Sequence, residues 1–411
     1  MSQASPQHAE MADFPVQGND LLVGGIPLPQ LAQRVGSTPF YVYDRRLLSQ
    51  RVAELRHAMP PDLKIHYALK ANPMPAVVQH LATLVDGFDL ASAGEMKVAL
   101  DTVMSPVHIS MAGPGKRPAE LLQALAAGIT VNVESFHELE TLAQLSAQTG
   151  LKARVAVRIN PAFELKASGM KMGGGAKPFG IDEERLPDAL QRIKALDLAF
   201  QGFHIYSGSQ NLKAESIIEA QQQSLDLALR LAAYCPSPIR TLNIGGGYGI
   251  PYFPGESRLD TRQVGTALGA AMARFKAEQP DTEIVIELGR YLVGEAGLYV
   301  AKVLDKKISR GQVFLVVDGG LHHHLAASGN FGQVIRKNYP VAIGTNMRGT
   351  ALETVSIVGP LCTPLDILAD KMALPIADIG DLVVVYQSGA YGYTASPDLF
   401  LSQPKAEELL V

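Results

Sequence analysis

Tryptophan is absent, and the 411 residues hold only two cysteines. Cys235 and Cys362 are too few for a disulfide scaffold and fit a reducing compartment. Charge is sparse too: 18% of residues are charged and the formal net charge is −4. That leaves no basic footprint for nucleic acid. No uncharged apolar run approaches the ~18 residues that span a bilayer. Residues 1–13 are polar and lack the apolar stretch of a secretory signal. Low-complexity tracts and short internal repeats are also missing. These absences point to a cytoplasmic protein that binds neither nucleic acid nor membrane. What is present is a rather apolar chain, 47% hydrophobic, too long for one ordinary domain.

Residues 1–17 read as a polar tail. Pro39-Phe40-Tyr41-Val42-Tyr43 is a good strand, and an amphipathic helix follows to about Met59 with Asp44 as its N-cap. A rhythm then begins. Strand-like runs fall at 64–69, 86–91, 107–111, 129–134, 152–159, 199–206, 240–244 and 283–288. Helical patterns fall between them at 75–84, 94–101, 117–127, 136–148, 183–196, 214–233 and 261–277. Strand alternating with helix implies parallel pairing through crossover helices. An open doubly wound sheet would satisfy that rhythm. Eight strands with polar residues at their ends favour an α/β chain closed into a (β/α)8 TIM barrel. After Gly294 the rhythm stops, and 298–318 and 352–411 read as strands broken by Gly, Pro and Asp. The expected division is a barrel over 44–294, with 18–43 and 295–411 forming a mostly-β domain that completes the site.

Ile65-His66-Tyr67-Ala68-Leu69-Lys70 reads as a buried strand ending on a lysine. Such a lysine either snorkels to the surface or serves as a desolvated Schiff-base nucleophile. The other strand ends carry Asp89 with Ser92, Ser110–Pro114, Glu134, Arg158 with Asn160, His204 with Ser207, Gly245-Gly246-Gly247, and Glu287 with Arg290. In a barrel these converge on one mouth. Glycines after the seventh strand let backbone N–H groups approach a phosphate, although tight turns use glycine too. A lysine and a phosphate cradle together suggest pyridoxal 5'-phosphate. Glu287 could hold the pyridine nitrogen protonated, pair with Arg290, or do both. Arg158, the lone charge between Val157 and Ile159, needs a partner in the mouth.

Six segments resemble the alanine-racemase-like, fold type III pyridoxal-phosphate decarboxylases of the diaminopimelate/ornithine family. They are Tyr67–Asn72, Asp89–Glu95, Gly245–Gly249, Glu287–Arg290, Gly359–Cys362 and Gly389–Gly392, in the family's order. The resemblance implies a Schiff base on Lys70, His204 stacked on the ring, and Glu287 at its nitrogen. It puts Ser207, Gly245, Gly246, Gly247, Arg290 and Tyr391 at the phosphate, with Asp89, Arg158 and Gly289 completing the cofactor set. It implies a homodimer with shared sites, in which Cys362 reaches the partner's cofactor and protonates the carbanion. A free cysteine is otherwise usually a small buried hydrophobe.

Departures from the family pattern bear on substrate. The residue after the motif cysteine is normally acidic and grips a distal ammonium; here it is Thr363, with Asp366 a substitute only if the loop is shifted. Tyr206 stands where the family has Gly, and Leu288 where it has Pro. The Thr363–Asp366 run, His322-His323-His324 and Ser396-Pro397 resemble a subgroup that includes the butirosin-type decarboxylase of carrier-linked glutamate and exosortase-associated homologues. This implies a modified or acyl-carrier-protein-linked amino acid. Arg336 and Tyr339 are candidates for the substrate carboxylate. Lys116-Arg117 or Arg336-Lys337 could form a basic rim for an acidic carrier. Consecutive histidines on a strand point to opposite faces, so no metal is expected at His322–His324. Gly173-Gly174-Gly175 is expected on a loop over the mouth, without a readable role. Competing readings are a diamino-acid decarboxylase, a racemase (in which the family usually sets Arg, not Glu, at the ring nitrogen) and an inactive homologue.

Overall fold

The computed structural model describes residues 7–163, 170–171 and 173–411. It forms two compact units: a barrel unit of residues 50–249 and 259–291, and a β unit of residues 7–49, 250–258 and 292–411.

The barrel strands are β1 (Lys64–Ala68), β2 (Gly87–Leu90), β3 (Ile109–Met111), β4 (Thr130–Val133), β5 (Arg154–Asn160), β6 (Ala199–Ile205), β7 (Thr241–Gly246) and β8 (Glu283–Leu288). Each pairs in parallel with the next, β8 pairs with β1, and the ring closes. Every strand agrees with its expected run to within a few residues. Helices follow in turn, and their buried positions show why. In Thr261–Glu278 the buried Val264, Leu268, Ala271, Met272 and Phe275 recur at three- and four-residue steps. In Leu186–Ala195 the buried set is Leu186, Ala189, Leu190 and Ile193. Each Val, Leu, Ile, Met or Phe among them contributes roughly 1.5–3 kcal/mol on burial. Caps fix the starts: Asp260 accepts from the Arg262 and Gln263 amides, and Ser92 from the Glu95 amide.

The β unit contains strands Phe40–Tyr43, Gly297–Ser309, Gln312–Val317, Val341–Ile343, Leu352–Val358, Ile367–Pro375, Leu382–Val385 and Glu407–Leu410. Phe40–Tyr43 pairs with Gly297–Ser309 and with Glu407–Leu410, so the early strand does join the late ones. Asp44 caps the following helix by accepting from the Arg46 and Leu47 amides at 2.8 and 3.1 Å. Among the described residues, no helix is long and apolar enough to cross a membrane.

The histidine run corrects one premise. His322–His324 lies in a turn, not a strand, so alternation of faces does not apply. His323 Nε2 donates to the Pro404 carbonyl (2.7 Å) and His324 Nε2 to Ser388 Oγ (2.9 Å). Burial pulls the pKa values of His322 and His324 down to about 4 and about 3. Both are neutral packing residues of the β unit.

Candidate active site

The strand carrying the lysine ends earlier than its apolar run. Ala68 closes β1, and Leu69–Ala71 forms a 3-10 turn with Lys70 on it. The Lys70 side chain is 39% exposed and its Nζ lies 3.5 Å from Glu287 Oε1. It therefore projects into the mouth with its charge supported, rather than being desolvated in the core. Gly289 explains how β8 passes so close to this turn: a Cβ there would sit 2.8 Å from Ala71 Cβ. The Tyr206 ring lies 5.1 Å from Lys70 Nζ, within cation–π range. That contact was signalled only by the family's glycine being absent here.

Glu287 is buried and serves two groups. His204 Nε2 is 2.9 Å from its Oε2, while Lys70 faces Oε1. Burial alone would raise the Glu287 pKa, but Lys70, His204 and Arg158 outweigh it and hold the carboxyl well below its usual range. His204 Nδ1 is buried with no hydrogen-bond partner, so one ring nitrogen is still available to a ligand or water.

Arg158 finds the partner it required. Its NH1 meets Glu134 Oε1 at 2.9 Å, both side chains being nearly inaccessible. Glu134 also accepts from the amides of Gly113 (2.6 Å) and Gly180 (3.0 Å). Lys116 joins this cluster, 2.9 Å from Glu138 and 3.9 Å from Glu134, with a side chain 1% exposed. It is a buried ion-pair member and cannot belong to a solvent-facing basic rim. Asp89 faces the barrel interior: its carboxylate accepts from Ser110 and lies 3.2 Å from His66 Nδ1.

The glycines at the end of β7 and just after it have steric causes. Gly245 and Gly247 adopt φ of +67° and +72°. A Cβ on Gly246 would overlap the Glu287 carbonyl, and one on Gly247 the Gly208 carbonyl. Ser207 is buried and directly precedes Gly208, whose carbonyl faces Gly247, and Arg290 opens the short helix after β8. Gly173 approaches the Ser207 Cα, so its loop does reach this end of the barrel.

In the β unit, Cys362 is exposed, which removes the buried-hydrophobe reading. Its loop is a tight turn. Thr363 Oγ1 accepts from the Leu365 amide at 3.3 Å, and Asp366 takes the amides of Leu321 (2.6 Å) and Leu361 (2.8 Å) on its two oxygens. Arg336 donates to the carbonyls of Ser328 (2.6 Å) and Ile367 (2.5 Å). Tyr339 is buried, its ring 4.6 Å from that of Tyr252. Tyr391 holds φ of +53°, a conformation rare for a side-chain-bearing residue.

The barrel mouth thus gathers an amine, a buried carboxylate, a histidine with an open nitrogen and a loop whose backbone no Cβ covers. Pyridoxal phosphate asks for that donor set: an amine for its carbonyl, a carboxylate for its ring nitrogen, open backbone for its phosphate. Residues 45–294 match the family described as pyridoxal-dependent decarboxylase, pyridoxal binding domain. The chain belongs to this family of pyridoxal-dependent decarboxylases, which are carboxy-lyases. It is 38% identical over 383 residues, 91% of this chain and 88% of that protein, to the L-glutamyl-[BtrI acyl-carrier protein] decarboxylase of Niallia circulans. It is 32% identical to the diaminopimelate decarboxylase of Aquifex aeolicus, over 95% of this chain and 90% of that one. Among solved structures, diaminopimelate decarboxylase from Helicobacter pylori complexed with L-lysine superposes with a TM-score of 0.81 at 29% identity, covering 93% of this chain and 94% of that one.

Proposed function

We propose that this decarboxylase acts on an amino acid whose far end is covalently modified, as in glutamate carried by an acyl carrier protein. One observation carries the reading. The turn after Cys362 presents no exposed carboxylate: Thr363 replaces the acidic residue, and Asp366 is 2% exposed with a backbone amide on each oxygen. A distal ammonium brought there would be left unpaired, a cost of several kcal/mol in a buried pocket. A thioester- or amide-linked side chain carries no such charge. The similarity to the carrier-linked glutamyl decarboxylase supports the same assignment.

When bound, pyridoxal phosphate supplies the electron sink for the pair left at the substrate Cα as CO₂ departs. The chain's residues do the rest. Lys70 Nζ would tether the cofactor, and Glu287 would keep a proton on the ring nitrogen. His204 would support the ring. Ser207, Gly245–Gly247, Arg290 and Tyr391 would hold the phosphate, with Asp89, Arg158 and Gly289 shaping the walls. Arg336 and Tyr339 are the proposed carboxylate contacts, although Arg336 spends two N–H groups on backbone carbonyls. The bond to the carboxylate breaks, one proton is taken up, and Cys362 Sγ of a second copy in a homodimer would deliver it.

The test is CO₂ release from glutamyl-carrier protein against free meso-diaminopimelate, ornithine, lysine and arginine. Turnover of the tethered substrate alone is expected. Turnover of a free diamino acid at a comparable rate would overturn the proposal in favour of a diamino-acid decarboxylase.

A further inference from the structure

Barrels of this class usually fill their interior with branched apolar side chains. Here the interior below Lys70 and Glu287 holds a partly open cavity of about 50 Å³ whose walls include His66, Asp89, Ser110, Asn132 and Asn243. A polar cavity of that size has room for about four waters. The side chains around it form a chain from strand to strand. Asn132 Nδ2 donates to Ser110 Oγ at 2.9 Å, and Ser110 Oγ donates to Asp89 Oδ1. Asp89 Oδ2 then lies 3.2 Å from His66 Nδ1. That last approach is close enough for an ion pair but badly directed for a hydrogen bond, and both atoms are buried without another partner.

The chain leads to the active site. β8 and β1 pair with Glu287 opposite His66. Directly opposed residues on neighbouring strands project from the same face, roughly 5 Å apart. Asp89 sits one strand further away, on β2. With His66 protonated, charge alternates negative, positive, negative across β8, β1 and β2, and the positive member adjoins Glu287. Lys70, on the turn that follows the strand of His66, also meets Glu287.

We propose that His66, as an imidazolium backed by Asp89 in a hydrated barrel core, is a positioning residue for the active site, setting from below the charge that Glu287 and Lys70 present to the cofactor. This rests on the reading of those two residues as cofactor groups. Burial would lower the His66 pKa, but Asp89, Asp86 and Glu287 outweigh it and raise the value. Arg154, His108 and Glu283 also line the cavity, and Lys64 lies on the same strand as His66. The imidazolium is therefore present below the raised value and lost as pH climbs through it.

The first measurement is a histidine-ring nitrogen NMR titration of the full-length protein without cofactor, with His66 assigned from His66→Gln, or from Asp89→Asn should that variant fail to fold. The His66 midpoint should lie above that of a free histidine, and Glu287→Gln should lower it by about half a pH unit or more. A His66 whose midpoint is not raised, or whose midpoint ignores Glu287→Gln, overturns the proposal. The second measurement is the pH midpoint of the cofactor's visible absorbance in the loaded enzyme. Removing the cation with His66→Gln should move it upward by a similar amount, because a neighbouring positive group is then less opposed. An unmoved midpoint overturns the link to the cofactor. The ring titration involves no turnover, so its outcome is separate from whether the substrate assignment holds.

Discussion

Glu134 shows how much a single strand-end carboxylate can organise. It directly follows β4, pairs with Arg158 of β5, adjoins Lys116, and receives the Gly113 and Gly180 amides from two loops. Burial opposes its charge, but Arg158 and Lys116 outweigh burial and hold the carboxyl below its usual range. Breaking such a buried pair from one side leaves the other charge uncompensated, at about 3–5 kcal/mol. Glu134→Gln should therefore lower unfolding free energy by that order in denaturant titration, and a loss under about 1 kcal/mol would refute the role. The sign of the pH effect follows. A depressed folded-state value makes this contribution full at neutral pH and lost as pH falls through that value, so the variant should also show a flatter acid limb. That Arg158 needed a partner was legible from one charge in an apolar strand. Which partner was not, because it depends on the register of β4 against β5.

At the scale of elements, strand and helix positions were legible because two periodicities alternate cleanly through the barrel. The strand ends were less so. Lys70 read as the end of a buried strand, whereas the chain leaves β1 at Ala68 and turns. An apolar run continues through a 3-10 turn as readily as through a strand, so hydrophobicity does not mark the break. The polar interior was equally hidden: His66, Asp89, Ser110 and Asn132 are spread over four strands, and only closure of the ring brings them together. The glycine loop after β7 was legible as a cradle, and the structure adds why it must be glycine. At Gly247 a side chain faces both positive φ and the Gly208 carbonyl. Gly247→Ala should strain the loop by roughly 1–3 kcal/mol while leaving the strands intact. Cofactor affinity should fall about tenfold or more in a fluorescence or absorbance titration, with far-ultraviolet circular dichroism unchanged. Unaltered affinity would remove this loop from the cofactor site.

For the whole molecule, the strongest expectation concerns residues that no single unit holds together. Lys70 belongs to the barrel unit, whereas Cys362 is exposed on the β unit, in a turn tied down by Asp366. An exposed cysteine at a motif position can serve chemistry only if something brings a cofactor to it, and the proposed homodimer with shared sites would do so. Symmetry makes this testable, since each site of a two-fold dimer would take one residue from each copy. Lys70→Ala and Cys362→Ala proteins should each be nearly inactive alone. Mixed in equal amounts and allowed to exchange subunits, half the dimers become mixed, and each of these has one site with neither substitution. Activity should then return to about a quarter of that of the unaltered enzyme. If the mixture stays as inactive as its components although subunit exchange is shown by mass-tagged copies, Lys70 and Cys362 serve the same site from one chain, and the shared-site dimer is wrong.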